Sequence, residues 1–337
     1  MTQRKTNRRR VTDGACLALI LVVHAAACPA SEQQDGIAFD TQPGQVIVRL
    51  GGRPLATYVY EDQEIPRPYF KDLHAPGGVR VTRHHPPRDG VDPTDHAQFH
   101  PGLWLAFGDL SGDDCWRNKA QVRHIEFVQA PCVLENRGCF AVRNRYVGAD
   151  RALCDEVCEY VFLIRPAGCL LLWNSTFQSE QDDFWFGDQE EMGLGVRLAT
   201  PLAVKSQQGG RILDSEGRRN EKEIWGKQAR WCDYSGWIDG TFAGITIMPD
   251  SGNLRPCWWH VRDYGFMTAN PFGQAAFRAG PISKVQVKKG QSFRLSYGIL
   301  IHAADSEKGV DLQAAYQDYV EIAQDRAQGL GARKEAN

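Results

Sequence analysis

The run Val161-Phe-Leu-Ile-Arg-Pro-Ala-Gly-Cys-Leu-Leu-Leu-Trp173 decides the fold class. Two short apolar segments, Val161–Ile164 and Cys169–Trp173, flank Arg165-Pro-Ala-Gly168, whose Pro and Gly mark a turn, so the run reads as a β-hairpin. Neither arm alternates polar with apolar residues. Strands that are apolar on both faces must be covered on both sides, which places this hairpin at the centre of a sandwich rather than at an edge. The same pattern continues outward. Val46–Leu50 and Leu55–Tyr60 flank Gly51-Gly-Arg-Pro54 as another hairpin, and in Phe293–Ile301 the residues Phe293, Leu295, Tyr297, Ile299 and Ile301 share one face, as in a half-buried strand. One segment departs from it. Leu312, Ala315, Tyr316, Tyr319 and Ile322 recur at helical spacing behind an Asp311 N-cap, predicting a helix from Asp311 to near Ala327. The expected architecture is all-β: a large β-sandwich forming a single domain over residues 37–327, a C-terminal helix packed on it, and a flexible tail over 328–337.

The ends and the charge bound the function. Arg4, Lys5 and Arg8-Arg-Arg10 precede an apolar Ala15–Val23 and small residues up to Ser31, the pattern of a signal peptide over 1–30. The mature protein is therefore expected to be exported, either periplasmic or secreted. Ala25-Ala-Ala-Cys28 also resembles a lipoprotein cleavage site with lipid on Cys28, although ordinary cleavage is the favoured reading. No later stretch approaches the roughly 20 apolar residues of a spanning helix. With 39 basic against 41 acidic residues, the chain lacks the positive field that nucleic-acid binding draws on. Beyond the leader stand Cys115, Cys132, Cys139, Cys154, Cys158, Cys169, Cys232 and Cys257, an even number that suits disulfides in an oxidising compartment but leaves their pairing open. Cys154-x-x-x-Cys158 has no second pair at a zinc-site interval, so buried thiols or a disulfide are favoured there over a metal.

Three segments hold candidate chemistry. Asn253–Gly273 packs Trp258, Trp259, His260, Arg262, Asp263 and Asn270 into one short run, a mixture suited to stacking on a ring-shaped ligand and hydrogen-bonding its rim. Strand alternation sends Trp258 and Trp259 to opposite faces. In Thr94–Asp109, Asp95, His96 and His100 lie close to Trp104, and Pro101-Gly102 argues for a loop entering the strand Leu103–Phe107 rather than a metal-chelating helix. Glu190 and Glu191 precede an apolar strand; on an extended chain only one can face a pocket, and Glu191 is chosen. From Asp214 to Gly236 come Glu216, Asn220, Glu221, Trp225, Asp233 and Tyr234, with carboxylates of the kind glycoside chemistry needs in pairs.

Arg67-Pro-Tyr-Phe70, His74-Ala-Pro-Gly-Gly78, Val81-Thr-Arg83, Asp95-His96, Pro101-Gly-Leu-Trp104, Asn220-Glu221, Trp225-Gly226, Asp233-Tyr-Ser-Gly236, Trp258-Trp-His260, Arg262-Asp-Tyr-Gly265 and Asn270-Pro-Phe-Gly273 together resemble the PmoA-like family of bacterial exported proteins. The resemblance implies a sandwich of the kind shared with galactose mutarotases and several polysaccharide-degrading enzymes. The family's methane oxygenase label belongs to a multi-span membrane subunit, whereas this chain has no span after its leader. Family members carry a His-rich stretch after the Asp-His pair, where this chain has Ala97-Gln-Phe99 before His100.

The leading expectation is an exported carbohydrate-active enzyme, of glycoside hydrolase type, acting on a glycan. His96, Glu216, Glu221, His260 and Asp263 are assigned to catalysis. Asp95, His100, Trp104, Glu191, Asn220, Trp225, Asp233, Tyr234, Trp258, Arg262 and Asn270 are assigned to substrate binding, with Trp259 as a further stacking candidate. No cofactor or metal is assigned. The alternative is a glycan-binding module without turnover, and the third reading is a metal-dependent oxidative enzyme using His96, His100 and His260.

Overall fold

A computed structural model describes Met1 and residues 36–335, with side chains to residue 326. The expected cleavage region and Cys28 lie outside the described residues. The strands run, in chain order, β1 (Ile37–Gln42), β2 (Gln45–Leu50), β3 (Arg53–Val59), β4 (Tyr69–Lys71), β5 (Leu103–Phe107), β6 (Gln121–Leu134), β7 (Arg137–Val147), β8 (Ala152–Arg165) and β9 (Gly168–Gln178). They continue as β10 (Phe184–Phe186), β11 (Met192–Arg197), β12 (Arg211–Asp214), β13 (Cys232–Ile238), β14 (Thr241–Pro249), β15 (Trp258–Arg262), β16 (Phe266–Asn270), β17 (Val285–Val287) and β18 (Ser292–Ala304). A short helix α1 (Asn220–Ile224) lies between β12 and β13, and α2 (Leu312–Glu335) ends the chain.

Two eight-stranded sheets result, ordered β1-β2-β3-β4-β5-β11-β16-β15 and β12-β13-β14-β18-β9-β8-β7-β6. The deciding hairpin is β8–β9, and it sits inside the second sheet, as its two apolar faces require. Phe162, Cys169, Leu171 and Trp173 join the core between the sheets, while Val161, Leu170 and Leu172 pack beneath α2. The late strand keeps the face read for it, with Leu295, Tyr297, Ile299 and Ile301 pointing into the same inter-sheet core, but it is not half-buried, because Leu300 on its other face packs beneath α2. Aromatic rings join the two sheets there, with Tyr58 5.2 Å from Phe140 and Phe70 5.7 Å from Trp173, contacts that add specificity to the burial of apolar area. Helix α2 is capped by Asp311, whose carboxylate accepts the Ala314 amide at 2.9 Å, and it runs past the expected end near Ala327 to Glu335. No helix among the described residues is long and apolar enough to cross a membrane.

The first sheet has a second buried layer on its outer side. Along β5, Leu103, Leu105 and Phe107 point inward while Trp104 and Ala106 point outward, where they meet Val59, Ile65, Tyr69, Trp116 and Phe266. Gly195 on β11 makes room for this layer, since a Cβ there would lie 2.9 Å from the rings of both Trp104 and Trp116.

Candidate functional site

The outer face of β5, β11, β16 and β15 presents Trp104, Arg197, Phe266, His260 and Arg262, because Trp259 and Val261 take the inward positions of β15. Onto this face folds the loop that carries Asp95, His96 and His100. Three buried guanidinium groups hold it there. Arg83 donates to the carbonyls of Pro93 and Asp95 at 2.9 and 2.8 Å and to that of His100 at 3.3 Å. Arg67 donates to the Trp116 carbonyl at 2.9 Å and also to the Phe99 carbonyl, joining the turn that bears Trp116 and Arg117 to the histidine loop. Arg197 forms a two-pronged pair with the Asp95 carboxylate. Burial pulls the Arg67 and Arg83 values down to about 10, so both remain charged at neutral pH.

The result is a cavity of about 190 Å³ lined by His96, Phe99, His100, Trp116, Arg117, Glu191, His260, Tyr264 and Phe266. Its floor is aromatic: the His100 ring stacks against both Trp104 and Phe266, with centroids 4.9 and 4.7 Å away and near-parallel planes. His96 stands 5.0 Å from His100, with its ring stacked toward Tyr264 at 6.1 Å. Phe99 and Tyr264 are partly exposed, and one face of the Tyr264 ring is covered by the Arg197 guanidinium 4.5 Å away.

The histidines differ in charge behaviour. Burial, reinforced by the Arg197 charge, holds His100 well below the usual imidazole range. Burial followed by the Arg262 charge brings His260 down to about 3, so it is neutral in ordinary buffers. The His260 Nδ1 lies 3.2 Å from the Glu190 carbonyl, which can only accept, so Nδ1 carries the proton and Nε2 offers a lone pair. Glu190 Oε2 is 3.4 Å from that Nε2 but off the hydrogen-bonding line, leaving Nε2 buried without a partner. Burial, aided by the neighbouring Glu191 charge, raises the Glu190 carboxyl against the opposing pull of Arg262, 3.2 Å away. Burial also pushes Asp95 upward, yet the charge and hydrogen bonds of Arg197 outweigh it and keep this carboxylate below its ordinary range. The Asp95 Oδ2 lies 3.2 Å from His96 Nδ1 and orients that exposed ring.

Several predicted residues frame the pocket without lining it. Arg262 bridges Glu190 and Glu221, donating to the latter at 3.1 Å. Glu221 and Asp263 are tied reciprocally, each carboxylate accepting the other's backbone amide at 2.9 and 3.0 Å, which fixes α1 to the β15–β16 turn. Asn220 accepts the Ile212 amide at 2.9 Å, and Asn270 donates to the Gln189 and Glu190 carbonyls at 2.8 and 3.1 Å, setting the segment that delivers Glu190. Trp225 packs on Phe277 with the Arg262 guanidinium 5.7 Å above its ring.

Other assignments are corrected. Glu216 sits on an exposed turn, hydrogen-bonded to Ser215, and faces a separate groove beside Arg230 and Tyr316. Asp233, assigned to substrate binding, instead lies on strand β13 and is fully buried on the far sheet against His302, Ser235 and Thr246 at 2.8, 2.6 and 2.8 Å. Its neighbour Tyr234 points the opposite way, into the inter-sheet core, where its hydroxyl donates to the Asp263 carbonyl at 3.2 Å. Trp104 is buried beneath His100 and Trp259 lies in the core, so neither offers a face to a ligand. Trp258 is buried under Arg255 outside the pocket lining. The three histidines of the oxidative reading do share one pocket, but among the described residues no three His, Cys, Asp or Glu side chains are placed to hold a metal ion.

Phe99, Trp116, Arg117, Glu190, Tyr264 and Phe266 were not singled out from the sequence. Glu190 was passed over because alternation was applied to a segment that is loop up to Met192. Nothing local to Trp116-Arg117 indicates that Arg67 will carry it to the histidine loop.

Among curated proteins, none matches the chain. Among solved structures it is similar to a galactose mutarotase-like protein from Lactobacillus casei ATCC 334, at 8% identity and TM-score 0.36 over 79% of this chain and 100% of that one. It is similar to a β-arabinopyranosidase at 9% identity and TM-score 0.32, over 79% of this chain and 38% of that one. A protein classed as a kojibiose phosphorylase, from the human microbiome, aligns at 7% identity and TM-score 0.30, and the chain spans 25% of its length against 62% of its own. Similarity to one family extends over residues 45–317, most of the chain, and the protein belongs to that family, DUF6807, a family of unknown function.

Proposed function

We propose that the protein is a carbohydrate-active enzyme that performs general acid–base chemistry on a single sugar ring, with hydrolysis of the bond at that ring's anomeric carbon as the reaction class. The reading rests on one observation: His96, His100, His260 and Glu191, from three separate segments of the chain, meet around one small polar pocket with partly exposed aromatic rings. A volume of about 190 Å³ falls below the roughly 300–1,000 Å³ of drug-sized sites and suits one ring rather than a polymer. In this scheme His96, oriented by Asp95, is the base, and Glu190, whose carboxyl stands 3.4 Å from Nε2 of the pocket-lining His260 and holds its proton beyond the usual range, is the acid. The His260 lone pair accepts from a hydroxyl, and Phe99 stacks on the ring.

The test is product analysis, by reducing-end assay and mass spectrometry, of purified protein against plant, algal and bacterial glycans and their monosaccharide glycosides. Product that disappears in a folded His96→Ala variant supports the reading, while silence across the panel overturns hydrolysis. A second reading, a binding module, draws on a specific feature: Asp95, Glu191 and Glu221 are each paired with an arginine, which leaves few free carboxylates. It predicts saturable glycan affinity without product. We further propose that the chain is a PmoA-like exported protein; cleavage near residue 30, read by N-terminal sequencing of protein from a bacterial host, tests its export.

A further inference from the structure

We propose that Cys132 and Cys139 form a disulfide that staples the edge hairpin β6–β7, independently of the sugar-site reading. The argument starts from strand register. Cys132 and Cys139 are direct cross-strand partners, and their sulfurs stand 3.6 Å apart. Residues directly opposite in an antiparallel pair have Cα atoms about 4.5–5.5 Å apart, inside the roughly 4.4–6.8 Å range that a disulfide spans, so side-chain rotation suffices to close the bond. Gln129 places its amide nitrogen 3.2 Å from each sulfur.

The same register excludes the other strand cysteines from such a bond. Cys154 and Cys158 lie on one strand, about 13 Å apart at strand rise, and oppose Tyr146 and Val142 on β7. Cys169 opposes Ile164 and Ile301, and Cys232 opposes Asp214 and Ile247. All four are buried, whereas Cys132 is partly open to solvent, where an oxidant can reach it.

The bond has structural work to do. β6 is the outermost strand of its sheet, it is interrupted by register shifts, and Ile125, Val128, Val133 and Leu134 are exposed along it. Such an edge invites pairing with other chains, and a covalent link near its end holds it on β7. With a small-molecule disulfide such as oxidised glutathione as oxidant, the Cys132 thiolate attacks one glutathione sulfur and releases a glutathione thiolate. The Cys139 thiolate then attacks Cys132 Sγ and releases the second. Both cysteines are oxidised, one glutathione disulfide is reduced, and the two thiol protons pass to the released glutathione thiolates.

The test is to incubate full-length protein with oxidised glutathione, denature it in guanidinium with iodoacetamide and no reductant, digest with trypsin and analyse by mass spectrometry. Trypsin cuts after Arg137, between the two cysteines, so the bond appears as two peptides joined through Cys132 and Cys139, with the remaining thiols alkylated. Alkylation of both cysteines, or a link from either to another cysteine, overturns the proposal. In a Cys132→Ser variant, Cys139 is recovered alkylated or as a glutathione adduct. Reduction with dithiothreitol lowers the thermal midpoint of the oxidised wild type by about 2–4 °C and leaves that of the variant unchanged; equal midpoints for oxidised and reduced wild type would overturn the role as a staple.

Discussion

Arg197 and Asp95 meet end-on: Nη1 and Nη2 of the arginine each lie 2.9 Å from a different carboxylate oxygen, across 102 residues of sequence. The arginine is fully buried on β11, with Tyr264 4.5 Å beneath its guanidinium, while the carboxylate remains partly in water. One pair thus anchors the loop that carries His96 and His100 to the sheet that carries His260.

Asp95→Asn is expected to cost about 2 kcal/mol in urea unfolding at neutral pH, a value reduced from that of a fully buried pair by solvent access to Asp95. The folded carboxyl lies below its ordinary 3.8, so its contribution is present above that value and is lost as pH falls through the lower folded one. The variant should lack this portion of acid destabilisation. Identical acid curves for wild type and variant would contradict the pairing.

His260 also loses stability on acidification, but over a higher pH range and because the folded state refuses a charge rather than holding one. Its folded value of about 3 lies below the ordinary 6.5, so below pH 6.5 the unfolded chain takes up a proton that the folded chain refuses. Stability is complete above pH 6.5 and declines as pH falls toward 3. At about 1.4 kcal/mol per unit, lowering the pH from 6.5 to 5 removes about 2 kcal/mol through this residue. Denaturant midpoints of wild type and His260→Gln at the two pH values should differ by that amount in their pH dependence.

Arg262 is the group that restrains the Glu190 carboxyl from rising further. Replacing it with Met should raise the Glu190 value and move the limb of a kcat/KM profile that reports Glu190 to higher pH, since the proton donor then keeps its proton longer. A limb that stays in place would remove Glu190 from the role of acid.

Two glutamates separate the sequence reading from the structural one. Glu216→Ala should leave stability within about 0.5 kcal/mol and product formation unchanged, because the side chain lies on an exposed turn away from the pocket. Glu190→Gln should lower kcat by about 10²–10⁴ with an unchanged unfolding midpoint at pH 7. A Glu216→Ala variant without activity would return the site to the other side of α1.

What was legible follows from the range of the signals. The two-faced apolar hairpin and the alternating Phe293–Ile301 strand read correctly because burial on one or both faces leaves a local periodicity. Asp95, His96, His100 and His260 were found because each lies in a short, chemically dense run. The arginines that assemble those runs are different. Arg67, Arg83 and Arg197 act on backbone carbonyls and a carboxylate far away in sequence, and an isolated arginine looks the same whether it is solvated or buried. Asp233 failed for a related reason: a carboxylate in a polar run reads as a substrate-binding group, yet His302 and Thr246 on neighbouring strands satisfy it inside a sheet.

The Tyr234 hydroxyl reaches from β13 to the carbonyl of Asp263, directly after the strand that bears His260. The phenol therefore works as a strut of fixed length between the two halves of the sandwich. Repacking that alters the gap between the sheets, even far from any ligand, would be transmitted along it and tilt the imidazole.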